Sequence, residues 1–259
     1  MKQHENYKEL IWMLAKTDFK LRYHGSVLGY LWALLKPLLT FAILNFVFSS
    51  VFNPRNTAGV DTYSLQLLVS LMMFYFFSEG TSAGMNSLLS KSQLVTKIYV
   101  PRWTIILAST INATLIFLMN LAVIAFFFAL KGFMPSLAAI GMFLLFSVFI
   151  YIIVLSFSLL TAPLYVKFRD LSMIWEVLLM IIMYASPIIY PLVTIPAQYH
   201  VFVLLNPLAF IIHFTKESLI NNHFATFGQY AIFMAIVLSG FALSIWSYRK
   251  MSPRIAENI

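Results

Sequence analysis

Stretches free of Asp, Glu, Lys and Arg occupy residues 37–54, 62–78, 103–130, 132–166, 177–215 and 218–248 of this chain. A bilayer core about 30 Å thick needs roughly 20 helical residues, so these runs predict membrane-crossing helices. Six spans fit, at about 28–52, 63–85, 103–130, 138–162, 174–193 and 227–247. As one helix the run 177–215 would be about 58 Å long, far more than a single crossing. It also carries Pro187, Pro191, Pro196 and Pro207, each of which removes a backbone donor and tends to end or kink a helix. Two crossings there would put Arg249, Lys250 and Arg254 outside. One crossing followed by short broken helices over about 185–217 that dip back from the outer face keeps them inside. Such backbone is tolerated at membrane depth only where protein or water shields it.

The first 27 residues follow a different period. On a 100° wheel Tyr7, Leu10, Ile11, Leu14 and Leu21 share one face and Glu9, Lys16 and Lys20 the opposite one, which predicts an amphipathic helix lying along the membrane. Asp18 interrupts the apolar face. An ordinary solvated helix with a hydrophobic stripe is the alternative reading of this pattern.

Composition strengthens the membrane reading. The chain has 259 residues, 61% hydrophobic and only 10% charged, with a mean hydropathy of +0.86. A soluble domain carries about a quarter charged residues. The absence of cysteine excludes a disulfide scaffold, a CxxC zinc site and a thiol nucleophile.

Charge fixes an orientation. Lys and Arg number 17 against 9 Asp and Glu, a net charge of +8. The cations gather at the ends of apolar runs, which suits a membrane surface or a cytoplasmic protein and not nucleic acid. With both termini in the cytoplasm, all basic residues except Lys36, Arg55, Lys131 and Lys216 fall on the inner side, as the positive-inside rule requires. No cleavable signal peptide is legible, because Lys2, Lys8, Lys16, Lys20 and Arg22 interrupt any apolar region there.

Candidate chemistry is sparse. The five histidines show no HExxH or HxxE spacing, and no GxSxG, intramembrane aspartate pair or P-loop occurs, so neither a metal site nor a catalytic group is expected and the chain has no recognisable device for hydrolysing ATP. Lys36, Glu79 and Glu176 are the charged groups in or near the spans. An unpaired one costs about 2.5–3.5 kcal/mol or more at a helix centre. Lys36 is placed to snorkel inward, and Glu79 to pair with a cation on the inner side. Aromatics make up 17% of residues. Trp32, Trp103, Trp175 and Trp246, near span ends, read as interface anchors. Tyr23, Tyr30, Phe74, Tyr75, Tyr184 and Tyr190 either pack or line a path on which rings stack against sugars.

Several segments together resemble the membrane subunit of type-2 ABC exporters of polysaccharides, the family that moves O-antigen, teichoic acid and capsule chains. They are RYHGSVLGYLWALLKP (22–37), FFSEG (76–80), NSLLSKSQLVTKIYVPR (86–102), KFRD (167–170), SPIIYPL (186–192), IP (195–196) and NPL (206–208). Their order and spacing cover nearly the whole chain. The resemblance implies an all-α protein of six spans that forms a homodimer around a channel. Two copies of a nucleotide-binding subunit would dock on its cytoplasmic side and hold the ATP and Mg²⁺. It implies a coupling helix at about 86–98, with Leu88, Leu89, Lys91, Leu94 and Lys97, and a smaller contact at Lys167, Arg169 and Asp170. Lys91, Lys97 and Arg102 would meet acidic residues on that subunit or simply enforce topology. Lys20, Arg22 and Tyr23 would frame the entrance, and Pro187, Pro191, Pro196 and Pro207 would shape outer gate helices.

What the resemblance implies for function is export of a lipid-linked glycan from a bacterial cytoplasmic membrane. KFRD and PIIYPL look closer to the O-antigen and teichoic-acid branch than to capsule exporters. A type-2 ABC permease for a small hydrophobic drug or lipid shares the layout, and a non-transporting membrane scaffold or a secondary transporter remain other classes. The spans show no inverted duplication and few charges to couple an ion.

Overall fold

The computed structural model describes residues 7–22, 25–52, 62–97 and 100–253, and every element among them is helical. An N-terminal helix α1 (Tyr7–Arg22) leads through a 3₁₀ turn (Gly29–Leu31) into α2 (Trp32–Phe52). Next come α3 (Thr62–Ser90), the short α4 (Ser92–Lys97), α5 (Arg102–Leu130) and α6 (Leu137–Lys167). After α7 (Leu171–Ala185) the chain breaks into two 3₁₀ turns, α8 (His200–Leu205) and α9 (Pro207–Asn221), and ends in α10 (Phe227–Met251).

The centre is α3. Its residues are buried on all faces, from Leu65 through Phe77 to Leu88, and it packs chiefly against α6 and α5, with α2, α9 and α7 around it. Two glycines one turn apart make the closest approach possible. A Cβ on Gly84 would sit 1.9 Å from Ser158 Oγ, and one on Gly80 would sit 2.7 Å from Val154 Cγ1. The pair Gly80 and Gly84 is a small-xxx-small surface, the pattern that lets membrane helices bring their backbones together. Because protein surrounds α3, it can carry Ser70, Thr81 and Ser87. Their hydroxyls donate back to the carbonyls of Gln66, Phe77 and Gly84 at 2.7, 2.8 and 2.6 Å.

Among the described residues, four helices have the length and hydropathy to cross a bilayer: Gly29–Ser49, α5, α6 and α10. The bent pair Ala197–Leu205 and Pro207–Asn221, broken by 113°, brings the number to five if it counts as one span. The remaining predicted spans differ from expectation. Although 29 residues long, α3 is less apolar than the other four because its polar residues face protein rather than lipid. The fifth predicted span, 174–193, is helical only to Ala185, the end of the 15-residue α7, since Pro187 and Pro191 cannot extend it.

Other boundaries also move. The predicted coupling helix 86–98 is in fact the last turn of α3 up to Ser90, a corner at Lys91 and the six residues of α4. Leu21 is exposed, so the buried stripe of α1 is Ile11 and Ala15, seated on Ala108 of α5 with Leu107 and Ile111. Of the four tryptophans read as interface anchors, Trp32, Trp103 and Trp246 are exposed but Trp175 is not. Its ring lies 3.9 Å from that of Phe157, and its Nε1 donates to Thr81 Oγ1 at 3.2 Å inside the core.

Candidate functional site

The helix ends sort by charge. One end of the bundle gathers α1, α4, the start of α5, the α6–α7 turn and the end of α10, and with them Lys8, Lys16, Lys20, Arg22, Lys91, Arg102, Lys167, Arg169, Arg249 and Lys250. The opposite end carries the start of α3, the segment 186–206 and α9, with Lys131 and Lys216.

Towards the basic end a cavity of about 450 Å³ opens between α2, α3 and α5. Pro37 lies inside α2, where it removes one helical hydrogen bond beside the cavity. Trp32, Tyr75, Phe76 and Phe117 give it aromatic walls, and Arg22, Lys36 and Glu79 a charged mouth. Arg22 pairs with Glu79, and Lys36 Nζ lies 3.6 Å from Glu79 Oε1. Thr40 Oγ1 and Tyr75 OH share a hydrogen bond of 2.8 Å, and Lys36 Nζ stands 5.9 Å from the centre of the Tyr75 ring. In the wall, the buried Oδ1 of Asn120 has no hydrogen-bond partner among the described residues. The result is a polar, two-cation, one-carboxylate mouth over an aromatic pocket, a surface suited to an amphiphile with a polar head. The expected pairing of Glu79 with a cation of the basic end is found, and Lys36 joins it.

The residues expected to couple lie together at the same end. Leu88 is fully buried with Ile105 and Ile106, and Leu94 packs against that cluster from α4. Leu89 is half-buried. Lys91 is turned inward, its Nζ 2.5 Å from Asp18 Oδ2, and Arg102 donates to the carbonyl of Ser252. Asp18, which the helical wheel treated as an intruder, is the partner of Lys91. The side chain of Lys97 lies outside the described features. Lys167, Arg169 and Asp170 form an exposed turn between α6 and α7.

Among the entrance residues, Lys20 is exposed on α1 and Arg22 forms the cavity mouth, while Tyr23 lies outside the described residues. The aromatic candidates divide. Tyr30 is exposed and stacks on Phe19 at 4.9 Å, and Tyr75 lines the cavity. Phe74 is buried in the core, so its ring packs. Tyr184 is exposed at the end of α7, and the half-buried Tyr190 donates its hydroxyl to the Tyr184 carbonyl at 2.8 Å.

At the opposite end four prolines have distinct places. Pro187 is buried, Pro191 and Pro196 precede the two 3₁₀ turns, and Pro207 opens α9 after Asn206, whose side chain accepts from Leu208 N at 3.1 Å. Prolines take donors away from this segment, and side chains supply them. Lys216, only 4% exposed, gives its ammonium to the carbonyls of Pro187 and, at 3.4 Å, Tyr190. Tyr63 OH donates to the Ile189 carbonyl at 2.8 Å, and His200 Nε2 lies 2.8 Å from the Ile195 carbonyl. Among the described residues no carboxylate forms an ion pair with Lys216, and backbone carbonyls accept from its ammonium. Sequence reading missed this clasp; its visible trace is one lysine between long apolar runs, opposite a proline cluster.

Buried central helix, apolar neighbours and one basic end together define a polytopic helical membrane protein. The family described as ABC-2 type transporter matches residues 9–220, and the chain belongs to it. It is 28% identical over 252 residues to an O-antigen export system permease protein RfbA of Klebsiella pneumoniae, covering 96% of this chain and 94% of that one. An RfbA of Myxococcus xanthus is also 28% identical, over 73% of this chain and 71% of its own. The polysialic acid transport protein KpsM of Escherichia coli is 22% identical over 90% and 93%.

Proposed function

We propose that this chain is the channel-forming permease subunit of an ATP-driven exporter that carries a lipid-linked polysaccharide, an O-antigen or teichoic-acid-like glycan, across a bacterial cytoplasmic membrane. The observation that carries this reading is similarity along 96% of the chain to an O-antigen export permease, head to tail. In this reading α2, α3, α5, α6, α7 and α10 make six crossings, with the basic end and both termini in the cytoplasm. The 15 residues of α7 span about 22 Å, and the segment 186–196 completes that crossing. The 113° bend between α8 and α9 is re-entrant and forms the outer gate.

Two copies of the chain frame the channel. Two copies of a nucleotide-binding subunit, which hold ATP and Mg²⁺, dock on α4 and the turn at Lys167, Arg169 and Asp170. Nucleotide-driven closure then moves α4 as a lever, because packed helices shift between discrete arrangements. The cavity beside Arg22, Lys36 and Glu79 receives the cargo's polar head, its aromatic walls the adjoining apolar or sugar part.

Reconstitution with the nucleotide-binding subunit tests this. A proline at Leu89 breaks the last turn of α3 at a cost of about 3 kcal/mol. Leu89→Pro is expected to insert normally yet abolish transport-linked ATP hydrolysis. Normal export of labelled glycan by that variant would refute the coupling assignment.

A further inference from the structure

Two of the three ion pairs among the described residues fasten α1 to α3 or to the residue that ends it, and the third joins Lys36 of α2 to the same Glu79. Asp18 and Arg22 stand one turn apart on α1, the spacing at which they would pair with each other. Instead Asp18 reaches Lys91 and Arg22 reaches Glu79. Glu79 and Lys91 are separated by about 18 Å of helix, whereas Asp18 and Arg22 are separated by about 6 Å. The end of α1 is thus a fork that grips α3 at two heights.

The upper and lower grips touch different machinery. Lys91 is the corner between α3 and α4: its carbonyl accepts from Leu94 N at 2.9 Å and Val95 N at 3.1 Å, starting α4, while its side chain holds Asp18. Leu14 of α1 packs, as do Leu94 and Val95 of α4, against the cluster of Leu88, Ile105 and Ile106. The Lys91 and Asp18 side chains are 15% and 20% exposed, so water screens this pair less than a surface one. The second grip, Arg22 on Glu79, is the mouth of the cavity, which Lys36 of α2 completes.

Resting on the transport reading above, we infer that α1 is a connecting rod. It carries the displacement of α4 to the cavity mouth, with Asp18–Lys91 as one bearing and Arg22–Glu79 as the other. Asp18 and Lys91 are positioning residues: neither touches nucleotide, and their work is to make the entrance follow the docking helix. Tilting α4 about the Lys91 corner draws Asp18 with it. Because α1 is a continuous helix, Arg22 moves as well, and Glu79 and Lys36 are re-spaced across the mouth.

The test is a charge exchange in the complex reconstituted with its nucleotide-binding subunit. Asp18→Lys sets two ammonium groups against each other. It is expected to lower glycan export by about fivefold or more, the range of a coupling energy, while ATP hydrolysis changes by less than about twofold. Adding Lys91→Asp restores the pair with reversed sign and is expected to recover export, which a loss unrelated to this ion pair would not do. Asp18→Asn keeps the size and is expected to show a smaller loss of the same kind. The chain has no cysteine, so spin labels at Trp12→Cys and Gln93→Cys report the spacing of α1 and α4, and one at Leu243→Cys gives a fixed reference on α10. On adding ATP, the first two labels are expected to keep their separation and move together relative to the third, and to separate in the Asp18→Lys background. Full export by both single variants, no recovery in the exchange, or α4 moving while α1 stays would overturn the inference. A wild-type complex that exports no glycan would contradict the transport reading instead, and the labels would still report whether α1 follows α4.

Discussion

The two ends of this molecule solve one problem with different chemistry. At the basic end, charged side chains meet charged side chains, and water reaches them: Lys36 is 66% exposed and Glu79 25%. At the opposite end, buried donors meet backbone carbonyls, and Lys216 has no carboxylate partner among the described residues. Exposed ion pairs are worth about 0–1 kcal/mol each and exchange partners easily. Leaving a buried acceptor unmade costs about 1–3 kcal/mol. The difference teaches that exposed contacts such as Lys36–Glu79 can exchange at little cost, whereas the buried donor–carbonyl contacts of the opposite end cannot.

Substitutions at each end sharpen that contrast. The largest loss is expected for Lys216→Met, which fits the space but leaves the Pro187 and Tyr190 carbonyls unpaired. About 2 kcal/mol of stability should disappear in detergent unfolding, with increased labelling of a cysteine placed at the buried Ile188. A variant as stable as wild type would mean that the ammonium's own desolvation cancels its hydrogen bonds. Tyr63→Phe removes one donor, to Ile189, and should cost about 1 kcal/mol in the same measurement. Lys36→Ala should change stability by no more than a few tenths of a kcal/mol. Its expected effect is on the concentration of glycan needed for half-maximal export. A stability loss for Lys36→Ala equal to that of Lys216→Met would erase the distinction between the ends.

Much of this architecture was legible because a bilayer demands long apolar runs, and α2, α5, α6 and α10 have them. The pairing of Glu79 with a cation was legible too, since a lone carboxylate beside lipid is costly. What could not be read were the distant partners. Asp18 looked like a flaw in a helical stripe because Lys91, which answers it, lies 73 residues away. Lys216 stood only as one of the few cations outside the inner side, because a carbonyl acceptor leaves no mark in the sequence. The spacing of Gly80 and Gly84, which forms the α3–α6 seam, went unread, and Trp175 was misplaced because an aromatic serves equally well at an interface or in a core. Helix endings shifted where one residue, Lys91 or Pro187, does two jobs.

The central claim is that these two ends face different compartments. Two single-cysteine variants decide it: Val193→Cys, at a position 82% exposed in the segment the buried donors hold, and Lys250→Cys at the end of α10. Exposed in intact cells to a maleimide that cannot cross membranes, Val193→Cys is expected to label at once and Lys250→Cys only after permeabilisation. Labelling of Lys250→Cys from outside, or equal labelling of both, would contradict the account.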